Sequence, residues 1–257
     1  MRILKIFFPI TALALLLLAC SGNTSSNENT AVASSSSTSS SNSGKDTYYE
    51  YSITSGSKEL SMNGSNKLYI SSKGDMRKEQ NLTQVMRGRT NLVSVVTIGQ
   101  LDKPGQTFVI NNEDKTYSIN KTDPADMDAG LNIKSNAVKI GEEKILSFNC
   151  VHARITSVQS AGNISLPEET WDFWKSNEVP VLPAVQKMMN QFEAKNHTMY
   201  SQGTAEQLKQ MGCDGFLVKM TSSHKDASFN MQLTKVEHRD IPAGMFEIPA
   251  GYKEVKE

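Results

Sequence analysis

The chain has 257 residues, and its 27 Lys and Arg residues are balanced by 27 Asp and Glu residues. No basic run stands out, so the charge pattern gives no electrostatic support for nucleic-acid binding. Beyond the N-terminal segment, no apolar stretch is long enough to cross a bilayer as a helix. These features argue against a nucleic-acid partner and against a protein with several membrane-spanning helices.

The first 19 residues have the layout of a secretory signal peptide: a short basic segment, an apolar run and a small residue at its end. The apolar run is short for a spanning helix. Its end, Leu17-Leu18-Ala19-Cys20, resembles the processing box of bacterial lipoproteins, with Leu18 as a less usual occupant. The alternatives are a plain signal peptide followed by a chance Cys, and an uncleaved anchor.

The lipoprotein resemblance implies that Cys20 is acylated, with palmitate or a similar chain, and becomes the first residue of the mature protein. One acyl chain binds a membrane only marginally, whereas two or three chains anchor stably. Ser21 is not an acidic residue of the kind that resembles an inner-membrane retention signal. We therefore expect an outer-membrane lipoprotein of the cell envelope that faces the periplasm and meets the bilayer through Cys20.

The mature chain divides into a tether and one domain. Residues 20–46 are rich in Ser and Asn and contain almost nothing apolar, so we expect a disordered linker with no binding role. Residues 47–257 are expected to form a single domain, within the usual size range.

From residue 47 onward, apolar and polar residues alternate as in half-buried strands. Strands are predicted at residues 47–53, 67–71, 92–98, 106–111, 115–119, 138–140, 148–157, 169–174, 216–220 and 229–233. Short strands at this spacing favour an antiparallel sheet over βαβ units.

Two helices are predicted in the second half of the chain. Residues 182–192 have apolar residues at helical spacing, with Pro183 in the first turn. The second helix is short, because Thr204 and Gln207 form a capping box and Gly212 ends it. Strands together with two helices predict an α+β fold.

Cys150 and Cys213 are an even pair in an exported chain. In an oxidising periplasm they could form a disulfide, which typically stabilises a domain by about 2–4 kcal/mol. The alternative is two separate buried thiols, since Cys is among the most buried residue types.

The histidines do not form a predicted metal site. None of His152, His197, His224 and His238 has a ligand partner at metal-binding spacing. His152 shares a strand face with Cys150, but two ligands of four are too few, and a structural histidine is the better interpretation.

The acidic cluster Asp123, Asp126 and Asp128 lacks the spacing and the closing Glu of a calcium loop, so a solvated loop is favoured over a weak calcium site. The chain contains no nucleophile elbow, phosphate-binding loop or dinucleotide fingerprint. We therefore predict no enzyme activity, no cofactor and no metal.

Aromatic residues on the predicted strands and apolar residues of the first helix could line a cavity. The candidate ligand-binding residues are Tyr49, Tyr51, Trp171, Phe173, Val185 and Met189. The alternative is an ordinary core, which aromatic stripes usually form.

Several short segments resemble a family of uncharacterised bacterial lipoproteins with a domain of unknown function. They are Tyr48-Tyr49-Glu50-Tyr51, residues 141–145 leading to Cys150, Glu169-Thr170-Trp171 and residues 245–252. The family is similar, more distantly, to the periplasmic lipoprotein-carrier and lipoprotein-receptor superfamily. The resemblance implies a strongly curved antiparallel sheet, an incomplete barrel, with two helices covering its concave face, and it carries no catalytic residue.

Three functional hypotheses follow. The first is a membrane-tethered protein that binds an apolar or lipid-like ligand in a cavity between the sheet and residues 182–192. The second is a sensor or protein-interaction module, without a small ligand, that uses a sheet edge or an exposed apolar patch. The third, an enzyme, would need polar side chains converging in a cleft.

Overall fold

The computed structural model describes residues 45–103, 106–121, 132–161, 164–181, 202–224 and 226–256. The strands are β1 Asp46–Gly56, β2 Leu60–Ile70, β3 Met76–Met86, β4 Arg89–Gly99, β5 Gln106–Asn111, β6 Thr116–Lys121, β7 Asn132–Ile145, β8 Phe148–Ala161, β9 Ile164–Ser165, β10 Glu169–Ser176, β11 Phe216–His224, β12 Ala227–Arg239 and β13 Lys253–Glu254. One α-helix, α1 (Gln202–Gln210), and one 3-10 helix (Ala243–Phe246) complete them. Neither helix is long and apolar enough to cross a bilayer.

All described strands belong to one sheet. Its middle is formed by the first strand, β1, which pairs with the last long strand, β12. β1 pairs antiparallel with β2 on one side and with β12 on the other. Successive strands continue outward to β6 on one side and to β7 on the other, while β9 pairs with β8 and β13 adds parallel to β6. The pairing path ends at β7 and β13, so the described sheet is open.

The sheet has an inner face, which we define as the face that carries Tyr49, Tyr51 and Ile53 of β1 and the residues in register with them. The large hydrophobic cluster built on these residues draws on β2 and β3 on one side and on β7 and β8 on the other. A flat sheet of twelve strands would be about 50 Å wide. Residues from strands far apart in this sheet share one cluster on the inner face, so the sheet curves around that cluster.

The outer face, which carries Tyr48 of β1, is covered by the C-terminal segment, residues 241–252. Ile241 and Phe246 pack against Tyr48 and Tyr69. Ile248 and Tyr252 pack against a second cluster on β4 and β5, formed by Val96, Ile98, Phe108 and Ile110. The outer face therefore obtains its apolar partner from the chain's own terminal segment.

One glycine is required by the close approach of β2 and β3. Gly64 lies in the middle of β2, opposite Leu82. A Cβ atom at Gly64 would lie 2.0 Å from the backbone oxygen of Asn81, which no real side chain tolerates. Glycine in a strand interior often marks such a bend or close contact.

The predicted open, curved antiparallel sheet is confirmed, but the expectation of two helices covering it is not supported. The described residues contain a single α-helix, which is the second of the two predicted, and residues 182–192 lie outside them. α1 packs against the edge strand β7, where Gln207 Oε1 accepts a hydrogen bond from the Ala137 backbone N–H at 3.0 Å. The described part of the chain is therefore mostly β.

The strand predictions were correct in position but incomplete. Every predicted strand lies within an observed strand or within one residue of it, and β2 and β7 are much longer than predicted. β3 was missed altogether, although it occupies an interior position between β2 and β4.

Candidate ligand-binding face of the sheet

The aromatic residues predicted to line a cavity lie together on the inner face. Tyr49, Tyr51 and Phe173 are buried members of its cluster, and Trp171 is a half-buried residue packed against it. The other two predicted residues, Val185 and Met189, lie outside the described residues.

The two tyrosines of β1 are held in place by hydrogen bonds from their hydroxyl groups. Tyr49 Oη donates to the backbone oxygen of Pro180 at 2.8 Å, and Tyr51 Oη donates to the backbone oxygen of Leu217 at 2.9 Å. The ring of Tyr49 also stacks on Phe216, with ring centroids 4.6 Å apart. Burial raises the pKa of both phenols well above the ordinary value. These side chains therefore present rigid apolar surface, with their polar ends already paired.

At one end of the inner face, apolar side chains remain partly in contact with solvent. Trp171 on β10 and Phe229 on β12 are half-buried, and their ring centroids lie 6.2 Å apart. Val93 on β4 is a third half-buried residue packed against the same cluster. This end holds accessible apolar surface that is continuous with the buried cluster.

The part of the inner face formed by β2, β3 and β4 carries buried polar side chains among its apolar ones. Lys78 of β3 is 4% exposed and lies opposite Leu68 of β2 and Thr97 of β4. Burial lowers the pKa of Lys78 to about 8. Asn66 and Thr97 are also buried, and within the described part of the chain Asn66 Oδ1 and Thr97 Oγ1 have no hydrogen-bond partner. Sequence reasoning missed Lys78 because it missed β3, and it missed Asn66 because the predicted strand began at residue 67.

The predicted capping-box residues of α1 bind the sheet. Thr204 Oγ1 lies 2.8 Å from Ser135 Oγ on β7, and Gln207 is bonded to the same strand through Ala137. Leu208 is buried in the inner-face cluster. α1 thereby supplies hydrogen bonds to β7 and an apolar side chain to the inner-face cluster.

Cys150 and Cys213 are both buried and are not joined by a disulfide in the structure. Cys213 Sγ lies 3.6 Å from the backbone oxygen of Val151, the neighbour of Cys150. Burial raises the pKa of the Cys150 thiol. A disulfide between the two residues is one of the two alternatives that the sequence left open, and it remains a proposal.

His152 has the structural surroundings that the sequence indicated. His152 Nε2 lies 2.8 Å from Asp172 Oδ1, and the same carboxylate accepts two hydrogen bonds from Arg154. The imidazole ring stacks on Trp174, with centroids 4.0 Å apart, and Lys219 Nζ lies 4.2 Å from the centroid of the same indole. Within the described ranges, no three His, Cys, Asp or Glu side chains form a group that could hold a metal ion. Asp123, Asp126 and Asp128 lie outside those ranges.

A polar groove of about 360 Å³ lies at the strand ends, apart from the predicted aromatic residues. Its lining residues are Ser57, Lys58, Glu59, Leu60, Ser61, Val85, Arg87 and Gly88. Arg87 and Glu59 form an exposed ion pair across it at 3.1 Å. Exposed charged side chains of this kind do not match an apolar ligand.

Comparisons with known proteins place the chain in a family. No curated protein matches it. It is similar to the solved structures of LprF from Mycobacterium bovis (10% identity, TM-score 0.37, 82% of this chain and 91% of that one) and of the lipoprotein LppX from Mycobacterium tuberculosis (10%, 0.32, 74% and 85%). It is also similar to a LolA superfamily protein from Nitrosomonas europaea (5%, 0.26, 79% and 90%). The family model described as Domain of unknown function (DUF4412) matches residues 53–252, so the chain belongs to that family.

Proposed function

We propose that this protein is an envelope lipoprotein, anchored in the outer membrane on its periplasmic side through acylated Cys20, that binds an apolar or lipid-like ligand on the inner face of its sheet. The observation that carries the proposal is the accessible apolar end of that face. Trp171 and Phe229 keep part of their surface in solvent while they pack on a cluster that is otherwise buried. Accessible apolar surface of this kind is typical of a ligand-binding or partner-binding site.

The two tryptophans of the chain provide an internal test. Trp171 lies at the accessible end of the inner face, whereas Trp174 stacks on His152. A fatty acid brominated near the end of its chain should quench the Trp171 fluorescence of a Trp174→Phe variant. The matched Trp171→Phe variant, whose only indole is Trp174, should be quenched much less. The experiment uses residues 21–257, which retain every described contact.

Native mass spectrometry of the same protein adds an independent measurement. We expect co-purified lipid that is lost or reduced in a Phe229→Ala variant. Leu92→Ala is the control, because Leu92 is 82% exposed on β4 and lies outside the inner-face cluster. Absence of both bound lipid and selective quenching of Trp171 would contradict the proposed function.

A protein-interaction module is the second candidate function, and the edge strand β7 favours it. Val138 and Ile140 on this strand are 45% and 48% exposed. Exposed apolar residues on an edge strand suit pairing with another chain. An Ile140→Lys variant should abolish such pairing, measured by cross-linking from a photoreactive residue at position 138, and should leave lipid binding unchanged.

A further inference from the structure

Two hairpin turns lie side by side at one end of the sheet. The first turn joins β1 to β2, and the second joins β3 to β4. Because β2 and β3 pair antiparallel, Leu60 at the start of β2 is opposite Met86 at the end of β3. We call residues 57–60 and 86–89, which contain both turns, the hairpin rim.

The backbone of the hairpin rim is held in a defined shape. Arg87 and Gly88 have φ angles of 50° and 77°, and positive values at both central residues are those of a two-residue type I′ hairpin turn. The Arg87 backbone N–H donates to the backbone oxygen of Glu59 at 3.4 Å, which links the two turns. The side chains of the rim therefore project from one defined surface.

The apolar surface of the inner face continues onto the rim. Met62 is buried in the inner-face cluster, and Leu60, two residues away on the same face of β2, is half-buried. Met86, opposite Leu60, is 49% exposed. Met62 is in register with Ser55 of β1 and, through it, with Phe229 of β12. The rim therefore lies one step outward from the accessible apolar end of the inner face.

The rim carries more positive than negative charge, with three cations, Lys58, Arg87 and Arg89, and one anion. Lys58 pairs with Asp226 at 2.9 Å, and Arg87 pairs with Glu59 at 3.1 Å. All four side chains are exposed, and an exposed ion pair contributes only about 0–1 kcal/mol. Arg89 is exposed and forms no ion pair within the ranges that the structure describes. The three cations are therefore available to an anionic surface.

The polar groove of about 360 Å³ lies between the two turns. Lys58 lines it from the first turn and Arg87 from the second, and Leu60 also belongs to its lining. A guanidinium binds phosphate oxygens with paired hydrogen bonds, and an ammonium binds phosphate as a point charge. A phosphate group in the groove would therefore meet one cation from each turn and an apolar side chain.

We propose that the hairpin rim docks on an anionic phospholipid bilayer. The lipid phosphates bind the three cations of the rim, and Leu60 and Met86 insert among the headgroups. Basic and apolar side chains combined in one surface are typical of segments that lie on a membrane, and each Lys or Arg near an anionic bilayer contributes about 1 kcal/mol. The inference goes beyond the proposed function, because it concerns how the domain meets a bilayer. Docking in this orientation places the accessible apolar end of the inner face beside a source of lipid.

The proposed anchor at Cys20 permits docking on the same membrane, and this step rests on the proposed function. Asp46 begins β1 and the rim follows the end of β1, so the two are separated by a strand of 11 residues. Such a strand is about 35 Å long. Residues 21–45 have a contour length of about 80 Å, which exceeds the length of the strand. The rim can therefore reach the bilayer that holds Cys20.

The test measures how the unacylated protein, residues 21–257, binds vesicles that are collected by sedimentation. Vesicles of phosphatidylcholine are compared with vesicles of equal parts phosphatidylcholine and phosphatidylglycerol. We expect about tenfold tighter binding to the anionic vesicles, and a preference that declines as the salt concentration rises. Equal binding to the two kinds of vesicle, or no binding to either, would overturn the proposal.

Charge substitutions locate the docking surface. Arg87→Gln combined with Arg89→Gln removes two cations of the rim and should weaken binding to the anionic vesicles about tenfold. Lys73→Gln combined with Lys103→Gln is the matched control, because it removes the same charge from two exposed lysines at the opposite end of the sheet. An equal loss of binding in both double variants would show attraction that is not specific to the rim, and would also overturn the proposal.

A substitution at constant charge tests the apolar contact. Met86→Ser should weaken vesicle binding about threefold, because part of a methionine side chain no longer leaves water. Leu92→Ser is the matched control. Leu92 is 82% exposed on the same hairpin, but it pairs with Thr83 and lies on the outer face. Unchanged binding by Met86→Ser would contradict the insertion of the rim among the headgroups.

The docking surface and the proposed ligand can fail separately. Quenching of Trp171 by the brominated fatty acid without any vesicle binding would overturn the docking surface and leave the proposed function standing. Vesicle binding that depends on the rim, without quenching of Trp171, would support the docking surface and overturn the proposed ligand.

Discussion

Tyr49 Oη on β1 donates a hydrogen bond to the backbone oxygen of Pro180 at 2.8 Å, and so ties the middle of the sheet to the segment that follows β10. The two residues are 131 positions apart in the chain. In the sheet, β1 and β10 are separated by β12 and β11. The bond therefore holds a chain segment against the inner face across two intervening strands.

Removing this hydroxyl should destabilise the domain modestly. Tyr49→Phe keeps the ring and its stacking on Phe216, and it removes only the hydrogen bond to Pro180. A typical intramolecular hydrogen bond contributes about 1 kcal/mol. Urea unfolding should therefore show a loss of about 1 kcal/mol, with an unchanged m-value. Tyr117→Phe, on the outer-face cluster, is the control; an equal loss in both variants would contradict the specific role of Tyr49.

Lys78→Met should make the unliganded protein more stable. The pKa of Lys78 falls from 10.5 to about 8 because its ammonium is buried, and each unit corresponds to about 1.4 kcal/mol. We therefore expect Lys78→Met to raise the free energy of unfolding by roughly 3 kcal/mol at pH 7. Chemical denaturation of the unmodified protein and of Lys78→Met measures this change in the free energy of unfolding. A destabilised Lys78→Met would show that the charged lysine stabilises the unliganded fold.

The difference in the free energy of unfolding between the unmodified protein and Lys78→Met should also depend on pH. Below pH 8 the lysine is protonated in both the folded and the unfolded state, and the cost of burying the charge is fully present. Between about pH 8 and pH 10.5 the folded state has lost its proton while the unfolded state keeps it, so the stability of the unmodified protein rises relative to Lys78→Met. Of the described residues, those directly opposite Lys78 on β2 and β4 are Leu68 and Thr97, and neither titrates. A difference that stays constant from pH 7 to pH 10 would contradict this account.

Sequence reasoning found strands on which apolar and polar residues alternate regularly, and it missed β3, an interior strand whose inner face is partly polar. On β1, Tyr49, Tyr51 and Ile53 alternate with polar residues and made the strand evident. On β3 the corresponding positions include Lys78 and Gln80, which are polar and conceal the alternation. A local departure from the expected pattern often marks a functional or strained position.

Long-range pairing was the other part that the sequence did not reveal. The paired residues of β1 and β12 are about 170–190 positions apart in the chain, and no local pattern states that they are partners. The contact between His152 and Asp172 depends in the same way on the register of β8 and β10. Sequence analysis predicted the face of each residue on its own strand, but not its neighbour across the strands.

Gly64→Ala should destabilise the domain strongly. The new Cβ would lie 2.0 Å from the Asn81 oxygen and 2.9 Å from the Leu82 Cα, so β2 and β3 would have to separate. Overpacking of this kind typically costs about 1–3 kcal/mol of stability. Both atoms that the new Cβ would meet belong to the backbone, so we expect a loss near the upper end of that range. Gly56→Ala, at the end of β1, is the matched control, because its Cβ would lie 3.8 Å from the nearest atom. Thermal unfolding of the pair should show a large loss for Gly64→Ala only.

The state of the two cysteines can be settled by counting thiols. The structure has Cys150 and Cys213 buried and not bonded to each other, and burial raises the pKa of Cys150. Because the thiolate is the reactive species, a buried thiol with a raised pKa should react slowly with an alkylating reagent at pH 8. Protein purified from the periplasm without reductant, as residues 21–257, should bind almost no reagent when folded and two equivalents after denaturation. Recovery of no reactive thiol after denaturation, with two appearing once a reductant is added, would instead establish the disulfide between Cys150 and Cys213 that the sequence left open.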